Sequence, residues 1–334
     1  MASTSSALPP PTKGWDTRES LADMPVDRAI KLINWFPESD KITVRRGSTE
    51  HVTGMTGAVE TLVTYTPTTG SGQLFAAANN AIYNVSATGA VGSAVSTGHS
   101  NNRWQFTNMG TSGGQFVRLF NGADTPLLYN GSSWATTAIT GSGLTAANLI
   151  WGNLHQRRLW VGEEDSLSAY YLGVNSVSGA ATEFPLAGIA TKGGFIMAMG
   201  TWTRDSGSGA DDVAVFLTSE GEAIVYSGTD PAAAATWQLV GVFAIGKPIG
   251  RRCIVKAGSD IILMTQALSD QISQAVNTAV RSYGDIFGWQ PILYPKSTML
   301  IFNIMQSSTT SHQYVFNTIS GAPCQFTGMN AICF

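Results

Sequence analysis

Five times along this 334-residue chain an apolar stretch runs into a polar or glycine turn and then into a second apolar stretch carrying a tyrosine. The five are QLFAAANNAIYNVSATG (73–89), FVRLFNGADTPLLYNGSSW (116–134), RRLWVGEEDSLSAYYLG (157–173), VAVFLTSEGEAIVYSG (213–228) and MLIFNIMQSSTTSHQYVFNTISG (299–321). Their second-strand tyrosines, 83, 129, 171, 226 and 314, are separated by 46, 42, 55 and 88 residues, the last interval being twice 44. Apolar runs bounded by such turns are strands joined in hairpins. A period of this length built from short antiparallel strands is the mark of a β-propeller. The reason is burial: a four-stranded blade has two faces to cover, and stacking blade on blade covers them. The doubled interval places a further unit near CIVKAGSDIILMTQ (253–266), where Gly258, Ser259 and Asp260 supply the turn and no tyrosine follows. The expected fold is therefore all-β, a β-propeller-like body of about six blades. A β-sandwich is the alternative, with short strands and frequent turns but no fixed period.

Composition agrees with many short strands. Charged residues make up 12% of the chain, about half the usual share, and Gly, Ser, Thr, Ala and Asn fill the gap. The formal net charge is −3, and basic residues cluster no further than the pairs Arg45–Arg46, Arg157–Arg158 and Arg251–Arg252. A dedicated nucleic-acid binder carries a basic stripe, because phosphate neutralisation supplies most of its affinity. A mildly acidic wall is compatible with DNA passing by without being held. Cys253, Cys324 and Cys333 have no CxxC spacing and read as free, partly buried thiols of a reducing compartment. Histidines 51, 99, 155 and 312 are scattered, so neither a metal site nor a cofactor is expected. The N-terminus lacks a basic region followed by an apolar one, and no stretch of 18 apolar residues occurs. Production in a cytoplasm and no membrane span are the expectations.

Residues 1–28, with Pro9, Pro10 and Pro11 in a row, read as an extended arm without a core of its own. Asp16 with Glu19 three residues on fits a capping box, and Pro25 limits any helix there to a turn or so. The body, 29–334, opens on a hairpin: Ala29 to Trp35, a Pro-Glu-Ser-Asp turn, then Ile42 to Arg46 with Gly47 closing it. One short amphipathic helix is expected in LSDQISQAVNTAV (268–280), capped by Ser269, with Ile272, Ala275, Val276, Ala279 and Val280 on one face. It follows the strand IILMTQ with no turn residue, and the sequence stops on the apolar NAICF. A loop near 266 and a C-terminal region are therefore expected to be missing.

Catalytic readings find little purchase. Glu163, Glu164 and Asp165 sit where a solvated hairpin turn needs polar residues, and Asp211 and Asp212 close a Gly/Ser loop. The sialidase-type SxDxGxxW turn has its nearest approach in SGTDPAAAATW (227–237), where Pro231 and alanines follow Asp230. Walker and HExxH motifs are absent. The arginine pairs stand out instead. Arg157–Arg158 and Arg251–Arg252 each precede an apolar strand at an expected blade start, and arginine suits the gripping of carboxylates across an interface. Trp15, Trp35 and Phe36 either plug the domain's own core or dock a neighbour.

The opening of the chain resembles a known family. PPTKGWDTRESLADMPVDRAIKLINWFPESDKITVRRGSTEHVTGM (10–55) runs from a Pro-rich arm into GWD-x-R-x-x-LADM, then NWFP, then a strand ending RRG. NLHQRRLWVGEEDSLSAYYLGVNSVSGAATEFPL (153–186) looks like the same family's middle region. The family is the tail nozzle, or tail hub, of short-tailed bacteriophages. The resemblance implies a structural virion protein of the tail, made in the host cytoplasm. It also implies a homo-oligomeric ring, a hexamer, beneath the head-to-tail adaptor, with tail fibres as a further candidate partner and genomic DNA conducted and retained without sequence-specific binding. It implies no catalytic residue. The candidate interface to other subunits or the adaptor is Trp15, Arg18, Trp35, Phe36, Arg45 and Arg46, joined by Arg157, Arg158, Arg251 and Arg252. A carbohydrate-binding or glycan-cleaving propeller is the alternative, and a secreted adhesin a weaker third reading.

Overall fold

The computed structural model describes residues 8–205, 210–266, 273–284 and 286–334. The chain divides into two compact units, one of residues 1–49 with 266–332 and the other of 50–265 with 333–334. The segment expected as an arm thus belongs, together with 29–49, to the first unit.

That unit has a hairpin where one was expected, but its first strand is β1 (Trp35–Pro37) rather than Ala29–Trp35, with Pro37 in the strand and not the turn; it pairs antiparallel with β2 (Ile42–Val44), Phe36 opposite Thr43. The second unit opens with β3 (Val52–Thr53) and four sheets follow. Blade 1 is built of β4 (Thr61–Tyr65), β5 (Gln73–Ala78), β6 (Ala81–Asn84) and, beyond β7 (Gly89–Ala90) which pairs with β3, β8 (Ala94–Thr97). Blade 2 is β9 (Gln105–Thr111), β10 (Gly114–Phe120), β11 (Leu127–Tyr129) and β12 (Trp134–Thr136). Blade 3 takes in β13 (Ile139–Thr140), which pairs parallel with the outer strand, and then β14 (Leu149–His155), β15 (Arg158–Glu163), β16 (Ser168–Leu172) and β17 (Gly179–Pro185). Blade 4 is β18 (Ile196–Asp205), β19 (Ala210–Thr218), β20 (Glu222–Gly228) and β21 (Trp237–Ala244). A two-stranded hairpin, β22 (Ile254–Ala257) and β23 (Asp260–Leu263), closes the unit. The first unit resumes with α1 (Ser273–Tyr283) and blade 5: β24 (Gln290–Tyr294), β25 (Met299–Met305), β26 (Ser311–Asn317) and β27 (Pro323–Phe326).

Among the described residues this is an all-β, five-blade propeller arrangement with one α-helix, and it corrects the expectation of about six blades. The stretch at 253–266 is the difference. It forms the expected hairpin around Gly258, whose positive φ of 66° suits a two-residue turn, but among the described residues no further strands join it. The five repeat tyrosines all lie on the third strand of a blade: Tyr83 on β6, Tyr129 on β11, Tyr171 on β16, Tyr226 on β20 and Tyr314 on β26. The repeated stretches are the two central strands of each blade.

In the second unit successive blades share cores. Phe75, Ile82, Val117, Leu119 and Tyr129 join blades 1 and 2. Met109, Phe120, Leu159 and Tyr170 join blades 2 and 3. Trp151, Trp160, Phe216, Tyr226 and Trp237 join blades 3 and 4, with the Trp237 ring stacked with Trp160 at 5.5 Å and with Tyr226 at 5.7 Å. A Cβ at Gly162 would lie 2.3 Å from the Trp151 indole, so this aromatic layer requires glycine there. Polar side chains tie the first strands together: Asn108 Nδ2 donates to Thr64 O at 3.0 Å, and Asn153 Nδ2 to Met199 O at 2.7 Å. In the first unit the core is Leu32, Phe36, Ile301, Val315, Cys324 and Phe326. The helix buries Val276 and Ala279, as its periodicity predicts, whereas Ser269 and Ile272 lie outside the described residues, as does the tract 206–209 and most of the region where a missing loop was expected. The three cysteines are free and buried, and burial pushes the thiols up, Cys253 to about 12 and Cys333 to about 11. No described helix is long and apolar enough to cross a membrane.

Candidate assembly interface

In the first unit the motif-bearing residues form a fastened segment with an outward face. Gly14 has φ 83°, and a Cβ there would stand 2.4 Å from Pro323 O, so the chain lies flat on blade 5 at this point. Trp15 N donates to Pro323 O at 2.7 Å, its indole N–H to Ile30 O at 3.0 Å, and its ring meets Tyr314 edge-on at 5.7 Å. Asp16 caps no helix. It is buried, accepts the Arg18 N–H at 2.9 Å, and is paired with Arg28. Burial pushes the Asp16 carboxyl up, but the Arg18 amide and the Arg28 guanidinium outweigh it and hold the group below the usual carboxylate range.

Further on, Ile33 bridges Gln325 in parallel, with Asn34 N donating to Gln325 O at 2.8 Å, so the segment flanks the outer strand β27. Asn34, in the left-handed region at φ 59°, accepts at its Oδ1 from Thr327 N (2.9 Å) and Arg45 Nε (3.1 Å). Arg45 also lies over the Phe326 ring. Pro37 O accepts from Asn317 Nδ2 at 3.0 Å. Strand alternation sends Phe36 inward at 4% exposure and Trp35 outward at 43%. Leu21, Val26, Ile30 and Val44 are likewise large, apolar and exposed, and Arg18 and Arg46 are exposed among them in sequence.

The ten candidate residues therefore separate. Trp15, Phe36 and Arg45 are spent within blade 5 and its cover; Trp35, Arg18 and Arg46 face out. The other four belong to the second unit. Arg157 is exposed at the β14–β15 turn, while Arg158 turns in to pair with Asp230 at 3.0 Å and lies over Tyr171. Arg251 pairs with Glu164. Arg252 is enclosed: it donates to Glu60 O (3.1 Å), Thr61 Oγ1 (2.7 Å) and Trp104 O (3.0 Å), tying the chain after blade 4 to the start of blade 1, and burial lowers it to about 10.

Several buried polar groups escaped the sequence reading. Arg118, within the β10 strand, is fully buried with Thr137 O as acceptor at 2.8 Å, and burial lowers it to about 10. Glu222 is buried and holds the Thr191–Lys192 turn by its main-chain N–H groups at 3.2 and 3.0 Å. His155 meets Thr201 Oγ1 at 3.1 Å and Trp237 edge-on, and burial pushes it down to about 4. Nothing in local sequence distinguishes these from solvated residues. Ser96, His99 and Asp124 bring catalytic residue types together. Ser96 Oγ is 3.0 Å from His99 Nε2, but the Asp124 carboxylate is taken up by Ser100 N, Ser100 Oγ and Asn121 Nδ2 at 2.8, 2.6 and 2.6 Å. It ties a loop rather than orienting the imidazole as a triad requires. Among the described residues no group of three or more His, Cys, Asp or Glu could hold a metal ion.

No known family profile and no curated protein matches this sequence. Among solved structures, BBS1N in complex with ARL6DN superposes with a TM-score of 0.39 at 12% identity, covering 82% of this chain and 67% of that one, a likeness too loose to carry function.

Proposed function

We propose that this chain is a structural subunit of a short phage tail, a nozzle or hub that assembles as a ring, a hexamer, below a head-to-tail adaptor and conducts and retains genomic DNA. The observation that carries this reading is the division of labour in the GWD…NWFP…RRG segment. Trp15, Asn34, Phe36 and Arg45 fasten it to blade 5, while Trp35 and its apolar and basic companions stay outside. Interface centres are enriched in aromatic and arginine side chains. The proposed role is non-catalytic, with subunit copies and the adaptor as partners.

The test is the mass of the full chain by light scattering, alone and with its adaptor ring, for the wild type and for Trp35→Glu with Val44→Glu. Both positions are exposed, so the melting temperature should hold while the multimer of about six falls to single chains. A chain that stays single even with the adaptor, or a ring indifferent to both substitutions, overturns the reading. The same blades would suit a carbohydrate-binding or glycan-cleaving propeller. Tight sugar binding by the single chain in a glycan screen would put that reading first.

A further inference from the structure

Asparagine followed by glycine occurs twice in this chain, as Asn121–Gly122 and Asn130–Gly131, and both pairs lie in blade 2, directly after β10 and β11. Asparagine is a thermolabile residue. The nitrogen of the next residue can attack its side-chain carbonyl, and glycine, with no Cβ, hinders that attack least. The two pairs are built alike. Asn121 Oδ1 accepts from the main-chain N–H groups of Ala123 at 3.1 Å and Asp124 at 2.8 Å. Asn130 Oδ1 accepts from those of Ser132 and Ser133, both at 2.9 Å. The ring closed by the nearer of these bonds contains both the asparagine Cγ and the glycine nitrogen, so electrophile and nucleophile are kept together. The same N–H groups serve the oxygen that becomes negative when Cγ is attacked.

Nucleophile, leaving group and access set the two apart. Gly122 N donates to Leu149 O at 2.9 Å, Asn121 Nδ2 donates to Asp124 Oδ2 at 2.6 Å, and Asn121 is buried. Among the described residues neither Gly131 N nor Asn130 Nδ2 donates to any group, and Asn130 is exposed. Glycine is also required at 131: its φ is 94°, and a Cβ there would stand 2.7 Å from the Tyr65 hydroxyl. We propose that Asn130 is a self-modification site, at which the folded chain converts one side-chain amide to an acid while Asn121 is preserved. Gly131 N gives its proton to hydroxide and bonds to Asn130 Cγ. The Cγ–Nδ2 bond then breaks, and Nδ2 leaves as ammonia with a proton from water. Water opens the resulting five-membered ring at one of its two carbonyl carbons. Opening at Cγ gives aspartate in an unaltered main chain, and opening at the main-chain carbonyl gives isoaspartate, with the chain rerouted through the side chain. No oxidant or reductant takes part. Either product adds one negative charge to a chain of formal net charge −3. Isoaspartate also lengthens the β11–β12 turn, where Asn130 N donates to Ser133 O at 3.3 Å. This inference does not rest on the nozzle reading.

The experiment incubates the full wild-type chain at neutral and mildly alkaline pH, folded in one sample and in denaturant in another. Peptides containing residues 121 and 130 are followed in time by mass spectrometry, with aspartate and isoaspartate separated by chromatography. In denaturant both turns are lost, and the two asparagines should convert at comparable rates. In the folded chain the expected result is conversion at 130, its rate rising about tenfold per pH unit with the deprotonated share of the Gly131 amide, and an intact Asn121. A folded chain that converts 121 as fast as 130 overturns the proposal. So does one that keeps 130 intact for the time in which the denatured chain converts it. Both samples are wild type, so the outcome does not depend on a variant that folds.

Discussion

At the scale of single residues, turns and buried charges set the most exposed predictions. The β5–β6 turn uses Asn79 and Asn80, both left-handed, a choice that suits its type. The β14–β15 turn places Gln156 and Arg157 in the same region at φ 49° and 57°, which neither side chain favours. Gln156→Asn with Arg157→Gly should therefore stabilise the protein by about 1 kcal/mol, seen as a higher denaturation midpoint at unchanged slope. Arg118 gives the opposite kind of test. Its Nε and Nη1 have no hydrogen-bond partner among the described residues, so the buried charge has one carbonyl and the face of the Phe120 ring against it. Arg118→Met should leave stability unchanged or raise it in thermal melts, because an apolar side chain of similar length sheds the desolvation penalty. A loss of several kcal/mol would mean that the charge is compensated.

Elements show why some strands were legible and others not. In the second unit central strands such as β10 and β20 are buried along most of their length, so each reads as an apolar run bounded by a clear turn. First strands such as β9, QFTNMGT, mix in polar side chains that bond a neighbouring blade's backbone, and outer strands such as β17 are largely exposed. Neither kind has a period to read. In the candidate interface the hairpin over NWFP was legible, but which of its two aromatics faced inward depended on its register against β27. That register predicts a contrast. Phe36→Ala should cost about 3–5 kcal/mol by chemical denaturation, as deletion of a buried aromatic does. Trp35→Ala should change stability by less than about 0.5 kcal/mol, as surface substitutions do, and act only on assembly.

For the molecule as a whole, acid should be the weak side. His155 is held down at about 4 by burial, against 6.5 when unfolded. Its folded-state value is the lower one, so the unfolded chain takes up the proton first. The associated stability is complete above about pH 6.5 and is lost as pH falls toward 4, a difference of roughly 3 kcal/mol. Glu222, Asp16 and Asp124 are also held below their ordinary values, so their share persists above the carboxylate range and is lost below it. Melting temperature should therefore drop in two stages, and His155→Gln should flatten the first. A melt indifferent to pH between 6.5 and 4 would place His155 in solvent. By itself the sequence determined the all-β class, the repeat, the tyrosine on each blade and the single helix, because these follow from the order of apolar and turn residues along one strand pair. Only the tertiary structure decided that 253–266 stops at two strands, that the N-terminal segment lies on blade 5, and that Arg158 and Arg252 turn inward. Those outcomes depend on which edges and faces meet across scores of residues, and pairing between distant segments leaves no period in the sequence of either partner.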